Sequence, residues 1–299
     1  MKKYICFDIG GTDIKYGLAD EQGNFSAQGS MPNPVREQGT SVMLEKIAAQ
    51  VEAYQAEHDE VAGVAAATAG IVDPDTGEVT FAGPSFPGYT GTKLQAFIEE
   101  RCALPCRVEN DVNAAGLGEF WLGSGRDAKL LFCMTVGTGI GGCIIQDGKL
   151  LHGAGNSAGE VGYMALDGGD SLETLGSTTH LVQEVAWAHH KPVQEVDGRM
   201  VFRLAHAGDA DAVNALAHMI RALAAGLVNI CYLLNPDTIV LGGGIMAEAK
   251  YILPRLLMEM EECTQVPGLL AHTKLLTASL GNDAGMLGAL YNFQQRQQK

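Results

Sequence analysis

Two stretches of this 299-residue chain repeat one pattern of residues that could hold a phosphate group. Residues 4–23 and 130–153 each open with an apolar, strand-like run, break into a glycine–threonine turn and continue as a second β-rich run that ends in a polar–glycine hairpin signal. The two turns are Gly10-Gly11-Thr12 and Gly137-Thr138-Gly139. Glycines at a strand end let the backbone approach a ligand, and consecutive N–H groups there can cradle phosphate. The repeat therefore predicts two related lobes that clamp one polyphosphate.

The second turn also matches a dinucleotide-binding pattern. Residues 137–142, GTGIGG, fit the G-x-G-x-x-G fingerprint, which requires a helix directly after the glycines to bind the pyrophosphate. Here Cys143-Ile144-Ile145 follows, which predicts a strand, and a hairpin signal comes next. The glycines are expected to join strand to strand, which disfavours NAD binding.

Strands and helices alternate along the chain, which is typical of an α/β fold. Helices are expected near residues 39–57, 93–101, 112–121, 171–188, 201–204, 210–234 and 284–294. Asn110 and Asp111 follow a predicted strand and precede the helix at 112–121, where both are good N-caps. Without a low-complexity linker, the expected lobes are residues 1–115 and 116–283, with a hinge near 112–118 and the closing segment 284–299 packed back on the first lobe.

Composition excludes several classes of protein. A formal net charge of −15 argues against a nucleic-acid partner, because nucleic-acid phosphates attract basic surfaces. No uninterrupted apolar run approaches the roughly 18 residues of a membrane span, and Asp8 breaks the first apolar run too early for a secretory signal. Seven scattered cysteines suit a reduced cytosol, and nothing near Cys102 and Cys106 completes a metal site. A cytoplasmic protein with neither a nucleic-acid nor a membrane partner is expected.

Five motifs in order resemble the ROK family, which comprises bacterial sugar kinases and sugar-responsive repressors. The motifs are Asp8-Ile-Gly-Gly-Thr12, Glu109-Asn-Asp-Val-Asn113, Gly137-Thr-Gly-Ile-Gly-Gly142, Ala158-Gly-Glu160 and Gly242-Gly-Gly244. They cover essentially the whole chain. The resemblance implies a two-lobed actin-like ATPase fold, which is a duplicated ribonuclease H-like α/β architecture with mixed sheets.

The resemblance also implies ATP and Mg²⁺, because phosphoryl transfer depends on positioning and charge neutralisation. It assigns Asp8 to Mg²⁺, held through water; the alternative is a turn-capping aspartate. Lys15 either reaches a phosphate oxygen or lies exposed on its strand. Gly243 resembles part of the family's nucleoside-binding turn. The implied ATP- and phosphate-binding residues are Gly10, Gly11, Thr12, Lys15, Thr138, Gly139 and Gly243.

On the sugar side, the resemblance makes Asp111 the catalytic base, since a carboxylate can take the proton of an attacking hydroxyl. The alternative is a purely structural N-cap pair with Asn110. Glu160 and Glu173 match acidic sugar ligands of the family, and carboxylates accept hydrogen bonds from sugar hydroxyls; either could instead be a solvated surface residue. The implied substrate-binding residues are Gly70, Ser85, Asn110, Asp111, Glu160 and Glu173.

The chain departs from the family at one place. Most members have a histidine where this chain has Tyr163, followed by a cysteine cluster that binds structural zinc. Residues 164–172, MALDGGDSL, contain neither cysteine nor histidine, so no zinc is expected there. The histidines, among them His152, show no metal-ligand spacing with cysteine and are expected in surface or core roles. The zinc-less form looks most like the branch that contains β-glucoside kinases.

The leading hypothesis is an ATP-dependent kinase that phosphorylates the 6-hydroxyl of a glucose-like sugar or β-glucoside, with lobe closure excluding water. Glucose and N-acetylmannosamine remain open as acceptors. A sugar-sensing repressor of the same family would carry a helix-turn-helix domain ahead of the first motif, where this chain has residues 1–7. A non-catalytic sugar-binding protein is the third alternative. Family members are commonly dimers, so a homodimer is expected.

Overall fold

A computed structural model describes residues 2–83, 86–166 and 168–297. The strands are β1 (Lys3–Ile9), β2 (Asp13–Asp20), β3 (Phe25–Pro32), β4 (Val61–Thr68), β5 (Ile71–Val72), β6 (Glu78–Phe81), β7 (Thr92–Lys93), β8 (Cys106–Asn110), β9 (Leu130–Val136), β10 (Ile140–Gln146), β11 (Lys149–Leu150), β12 (Thr238–Gly242) and β13 (Lys274–Thr277). The α-helices are α1 (Val35–Gln38), α2 (Thr40–Glu57), α3 (Leu94–Cys102), α4 (Asp111–Trp121), α5 (Leu172–Gly176), α6 (Thr178–Ala188), α7 (Gly198–His206), α8 (Ala210–Leu234), α9 (Ala249–Cys263) and α10 (Ala284–Gln297).

Two five-stranded sheets repeat one topology. In the first, ordered β3-β2-β1-β4-β8, β1 pairs antiparallel with β2 and parallel with β4, and β8 runs parallel to β4. In the second, ordered β11-β10-β9-β12-β13, β9 pairs antiparallel with β10 and parallel with β12, and β13 runs parallel to β12. A smaller sheet has the order β5-β6-β7. The duplicated α/β fold with mixed sheets is therefore confirmed.

The strands that lead into the two glycine turns are buried on both faces. In β1 and in β9, five of the seven residues are buried, which is the pattern of a central strand covered on each side. Cys6 and Cys133 lie among these buried positions, and Cys143 is buried in β10; all three pack as small side chains in the interior. Rigid strand ends follow from this burial, and the turns start from them.

The chain divides into two compact units. Unit 1 comprises residues 1–126, 148–158 and 280–299, and unit 2 comprises residues 127–147 and 159–279. The first boundary lies after Arg126 and not at residue 115 as expected from the sequence, because α4 continues to Trp121 and packs along α10 within unit 1. The segment 148–158 also belongs to unit 1, although the sequence pattern had grouped it with the second lobe. Helix α10 lies in unit 1.

The helix expected over residues 171–188 is two helices. Ser177 adopts an extended conformation between α5 and α6, and its hydroxyl accepts a hydrogen bond from the backbone N–H of His180. A serine with this geometry is an N-cap, so it starts a new helix instead of continuing the old one. The break sets the start of α6 beside the second glycine turn.

Helix α8 is the central helix of unit 2. By length and composition alone it could cross a membrane, but 61% of its most apolar 18-residue window is buried within the protein. Its buried residues, among them Leu216, Leu223 and Leu227, pack in one cluster with residues of β9, β12 and α9. An apolar helix enclosed in this way is a core helix.

Helices α4 and α10 of unit 1 approach each other closely through glycine. A Cβ on Gly118 would collide with the backbone oxygen of Ala284, and one on Gly288 with the backbone oxygen of Ala114. Only residues without a side chain permit this separation of the two backbones. The contact fixes α4, whose first residue is Asp111, against the closing helix.

We predict that Gly288→Ala lowers the free energy of unfolding by roughly 3 kcal/mol, because the added methyl group meets backbone that no rotamer change can move. Urea denaturation followed by circular dichroism measures this. The matched control is Gly155→Ala, where a Cβ would meet only Ser157 Oγ, at 3.9 Å. Its effect should stay within about 1 kcal/mol. Equal effects of the two substitutions would contradict the described helix contact.

Candidate functional site

The first glycine turn, Gly10 to Thr12, connects β1 to β2 in unit 1. Gly10 donates its N–H to the backbone oxygen of Asp13, at 3.0 Å, which closes the turn. Asn33 stabilises the turn through two hydrogen bonds. Its side-chain amide donates to the backbone oxygen of Gly10 and its backbone N–H donates to the oxygen of Thr12, both at 2.8 Å. Thr12 remains exposed. The turn thus has a fixed shape and an open outer side, as an anion site requires.

Asp8 and Lys15 stand opposite each other on β1 and β2 beside this turn. Lys15 Nζ lies 3.4 Å from Asp8 Oδ2 and 3.4 Å from Asn282 Oδ1. Burial raises the pKa of the Asp8 carboxyl above its ordinary value, and the Lys15 ammonium acts in the opposite direction. A half-buried carboxylate beside the first glycine turn suits a hard divalent cation, which would supply further positive charge. Asp8 therefore fits the Mg²⁺ expected from the sequence.

The turn between β8 and α4 places Asn110 and Asp111 at the start of a helix. Asn110 Oδ1 accepts the backbone N–H groups of Val112 and Asn113, at 2.9 and 3.0 Å, and so caps α4. The Asn110 side-chain amide donates to Asp111 Oδ1, at 3.0 Å, and to the backbone oxygen of Gly70, at 2.9 Å. Asp111 Oδ1 also accepts the N–H of Val112, at 2.9 Å. The carboxylate of Asp111 is therefore oriented at the positive end of the helix.

The capping role proposed for Asn110 as an alternative is present in the structure. It does not exclude a second role, because the same amide that caps α4 also orients Asp111 and the Gly70 loop. Ser85, the other predicted sugar-loop residue, lies outside the described residues.

The second glycine turn, Gly137 to Gly139, joins the antiparallel strands β9 and β10 of unit 2. It connects strand to strand, as expected, and not strand to helix as a dinucleotide fingerprint would. The start of α6 holds it: Thr178 donates its N–H to the oxygen of Gly137, at 2.8 Å, and Thr179 Oγ1 donates to the oxygen of Thr138, at 2.7 Å. Thr138 itself is exposed.

The turn after β12 passes over the end of β9. Gly243 has a φ of +91°, and a Cβ there would collide with the backbone oxygen of Val136. Both the positive φ and the close approach require glycine. Gly243 is thus held next to Val136, the residue that precedes the second glycine turn.

A cavity of about 1000 Å³ lies in unit 2 where these two turns meet. Its walls are partly apolar, and Thr178 Oγ1 on its wall is buried with no hydrogen-bond partner among the described residues. The lining residues are Gly137, Thr138, Thr178, Thr179, Val182, Val193, Val196, Asp197, Gly198, Arg199, Phe202, Arg203, His206, Gly244, Ile245, Ala247 and Glu248. Gly243 itself does not line the cavity, but its neighbour Gly244 does. Apolar walls beside two glycine turns suit a flat ring joined to phosphates.

Sequence reasoning missed most of this cavity. Arg199, Arg203 and His206 recur at helical spacing on α7, so all three present side chains on one exposed face toward the cavity. That spacing was visible in the sequence, but nothing local showed that this face meets the Gly137 turn. The threonines that begin α6 were likewise hidden within an expected continuous helix.

Glu160, Glu173 and Tyr163 lie near one another in unit 2. Burial raises the pKa of the Glu160 carboxyl, and the negative charge of Glu173 raises it further. Glu173 Oε2 accepts the backbone N–H of Ile140, at 2.8 Å, so this carboxylate lies against the second glycine turn. Tyr163 is 66% exposed, and burial, Glu173 and Glu160 all raise its pKa. The two predicted sugar ligands are therefore brought together, and Tyr163 stands beside them.

The loop that lacks the family's cysteines is ordered by backbone hydrogen bonds. Ala165 and Ser171 form an isolated antiparallel bridge, and Leu172 donates its N–H to the oxygen of Met164, at 2.9 Å. Ser171 then caps α5 in a capping box with Thr174. Asp167, inside the loop, lies outside the described residues. These contacts close the loop at its base.

Comparison with known proteins shows what the chain is similar to. A family model described as ROK family matches residues 4–296. A beta-glucoside kinase of Listeria monocytogenes is 33% identical over 304 residues, covering 99% of each chain. A solved structure from Listeria monocytogenes, described as a candidate N-acetylmannosamine kinase, aligns with a TM-score of 0.87 and 32% identity over 99% of each chain. A ROK family glucokinase from Streptomyces griseus, solved with glucose and AMPPNP, aligns with a TM-score of 0.82 and 29% identity, covering 96% of this chain and 98% of that chain.

We predict that Glu160 titrates above the ordinary glutamate pKa of about 4.3, since its charged form is disfavoured in the folded protein. Protonated Glu160 therefore contributes to the free energy of unfolding. That contribution is complete below the pKa of the unfolded state and is lost as the pH rises through the raised pKa of the folded state. Glu173→Gln removes one of the two causes and should lower the pKa of Glu160, as measured by carbon-detected NMR titration. Glu261→Gln, an exposed substitution on α9, should leave it unchanged. A Glu160 pKa at or below 4.3 in the wild type would contradict the described environment.

Proposed function

The chain belongs to the ROK family, and from that premise we propose that it is an ATP-dependent sugar kinase. The reaction transfers the γ-phosphate of ATP to a primary hydroxyl, the 6-hydroxyl, of a glucose-like sugar or β-glucoside. The proposal extends to a homodimeric, cytoplasmic protein on the family resemblance alone.

The observation that carries the proposal is the cavity of unit 2. It joins the turn at Gly137 and Thr138, suited to phosphate, to apolar walls that suit a nucleobase. A polyphosphate without a nucleoside has no apolar group to place against those walls, so the cavity favours a nucleoside triphosphate as donor. The unpartnered hydroxyl of Thr178 offers one hydrogen bond to such a ligand. The Streptomyces griseus relative was solved with an ATP analogue, which agrees with this choice.

On the acceptor side, Asp111 is the proposed base. The sugar hydroxyl donates a hydrogen bond to its carboxylate, and the proton passes to Asp111 as the hydroxyl oxygen bonds to the γ-phosphorus. The bond between that phosphorus and the β–γ bridging oxygen breaks, and ADP leaves. Asn110 keeps Asp111 Oδ1 in place through its side-chain amide. Glu160 and Glu173 are the proposed acceptors for other sugar hydroxyls.

The phosphates are the proposed ligands of the two glycine turns. Gly10, Gly11 and Thr12 serve in unit 1, and Thr138 and Gly139 in unit 2. Asp8 would hold Mg²⁺ through water, and the ion when bound supplies neutralisation of the charge on the phosphate oxygens. Lys15 stays paired with Asp8 and adds positive charge beside the first turn.

Tyr163 favours a β-glucoside as the sugar. Its exposed ring stands beside two carboxylates, where it could cover a second ring attached to the sugar. The beta-glucoside kinase relative supports this choice. Glucose and N-acetylmannosamine are the alternatives, in line with the names of the two structural relatives.

We predict that Asp111→Asn lowers kcat about 10²- to 10⁴-fold, because the amide keeps the shape of the side chain but cannot take a proton. ADP release, coupled to a spectroscopic readout, measures this across glucose, mannose, N-acetylmannosamine, cellobiose and an aryl β-glucoside. Sugar affinity, from calorimetry, should change less than about threefold.

Asp59→Asn, in the exposed turn after α2, serves as the control and should keep wild-type turnover. Retained turnover in Asp111→Asn would remove the proposed base. Absence of wild-type turnover with every sugar, while one of them still binds, would favour a sugar sensor.

A further inference from the structure

The carboxylate of Glu109 is buried in unit 1 directly behind the Asn110–Asp111 turn. Its side chain is 0% exposed. Oε1 accepts the backbone N–H of Asn110, at 3.0 Å, and the side-chain amide of Asn113, at 2.9 Å. A buried charged group is tolerated only when its oxygens receive hydrogen bonds, so the donors around Glu109 are structurally required.

The remaining oxygen, Oε2, lies 2.9 Å from His152 Nε2. A carboxylate only accepts hydrogen bonds, so Nε2 carries the proton and donates it. His152 is 17% exposed and comes from the segment after β11, 43 residues along the chain from its partner. The imidazole is thus brought to Glu109 by tertiary structure.

These bonds form a continuous chain to Asp111. Glu109 holds the backbone of Asn110 and the side chain of Asn113, which lie on either side of Asp111 in sequence. Asn110 in turn caps α4 and donates to Asp111 Oδ1. If Glu109 rotates, Asn110 and Asn113 lose a hydrogen bond together.

We propose that His152 is a positioning residue for the phosphoryl acceptor step. It fixes Glu109, and Glu109 fixes the turn that aims Asp111; the kinetic part of this inference rests on the proposed function. His152 touches neither the sugar nor the nucleotide in this account.

Loss of the His152 donor leaves Glu109 Oε2 buried without that hydrogen bond, and the carboxylate reorients toward another donor. The helix start then shifts. A misplacement of about 1 Å at a reacting group can reduce turnover by roughly 100-fold. The effect falls on kcat, while KM for ATP stays constant, because the hydrogen bonds of Glu109 and Asn113 described above hold the start of α4.

Two substitutions of His152 distinguish loss of its hydrogen bond to Glu109 from loss of side-chain volume. The amide nitrogen of His152→Gln reaches about as far as Nε2 and can still donate to Glu109, whereas that of His152→Asn is one methylene shorter and cannot. We expect His152→Gln to keep kcat within about threefold and His152→Asn to lose about 10- to 100-fold, with KM for ATP unchanged in both. His218→Asn makes the same substitution at an exposed histidine of unit 2, whose Nδ1 lies 2.7 Å from Glu184, and should behave as wild type.

A second readout needs no turnover. The backbone amide of Asn110 donates to Glu109, so its hydrogen exchange, followed by NMR, should speed up at least about tenfold in His152→Asn and stay slow in His152→Gln. Activity is measured well below each variant's Tm, so that folded protein is compared with folded protein. Unchanged kcat and unchanged Asn110 exchange in a folded His152→Asn would overturn the inference, as would equal losses in both variants. An inactive wild type would sink the proposed function alone, and the exchange measurement would still decide whether His152 positions the turn.

Discussion

The position of helix α4 is the constraint on which the Asn110–Asp111 turn of unit 1 depends. Its first residue is Asp111, and its start is fixed by the Asn110 cap, which accepts two backbone N–H groups. Its far half is fixed by the glycine contact with α10, where the backbones meet without side chains between them. Local capping and long-range packing thus act on the same helix. Because the helix is fixed at its start and along its far half, the carboxylate at its first residue loses little conformational freedom when a ligand binds.

Unit 2 has the same sheet topology as unit 1, but its glycine turn has different neighbours. In unit 1 the glycine turn of the repeat stands beside a carboxylate, Asp8, whereas in unit 2 it stands beside an open cavity and the Gly243 turn. The start of α6 holds that second turn through Thr178 and Thr179. Each unit therefore has a glycine turn between two antiparallel strands, and the surrounding residues give the two turns different neighbours. The chain has a formal net charge of −15, whereas the face of α7 that lines the cavity carries Arg199 and Arg203.

What could be predicted from the sequence was local. The glycine turns, the Asn110 cap and the apolar α8 depend on residues that are close together in the sequence. The repeated strand–turn–strand pattern implied the duplicated sheets. The break at Ser177, the assignment of residues 148–158 to unit 1 and the cavity lining depend on contacts between distant residues. The pair of Glu109 and His152 shows the limit most clearly. Each residue alone reads as ordinary, and only the fold brings their side chains to 2.9 Å.

The proposed reaction moves a phosphoryl group from ATP to the 6-hydroxyl of a sugar. Phosphorus NMR of a reaction with ATP, Mg²⁺ and an aryl β-glucoside or glucose tests it most directly, because donor, by-product and ester appear in one spectrum. The account predicts a new phosphomonoester signal, coupled to the two protons on carbon 6, that grows at the same rate as ADP. Release of inorganic phosphate without an ester, or an ester at another carbon, would contradict it.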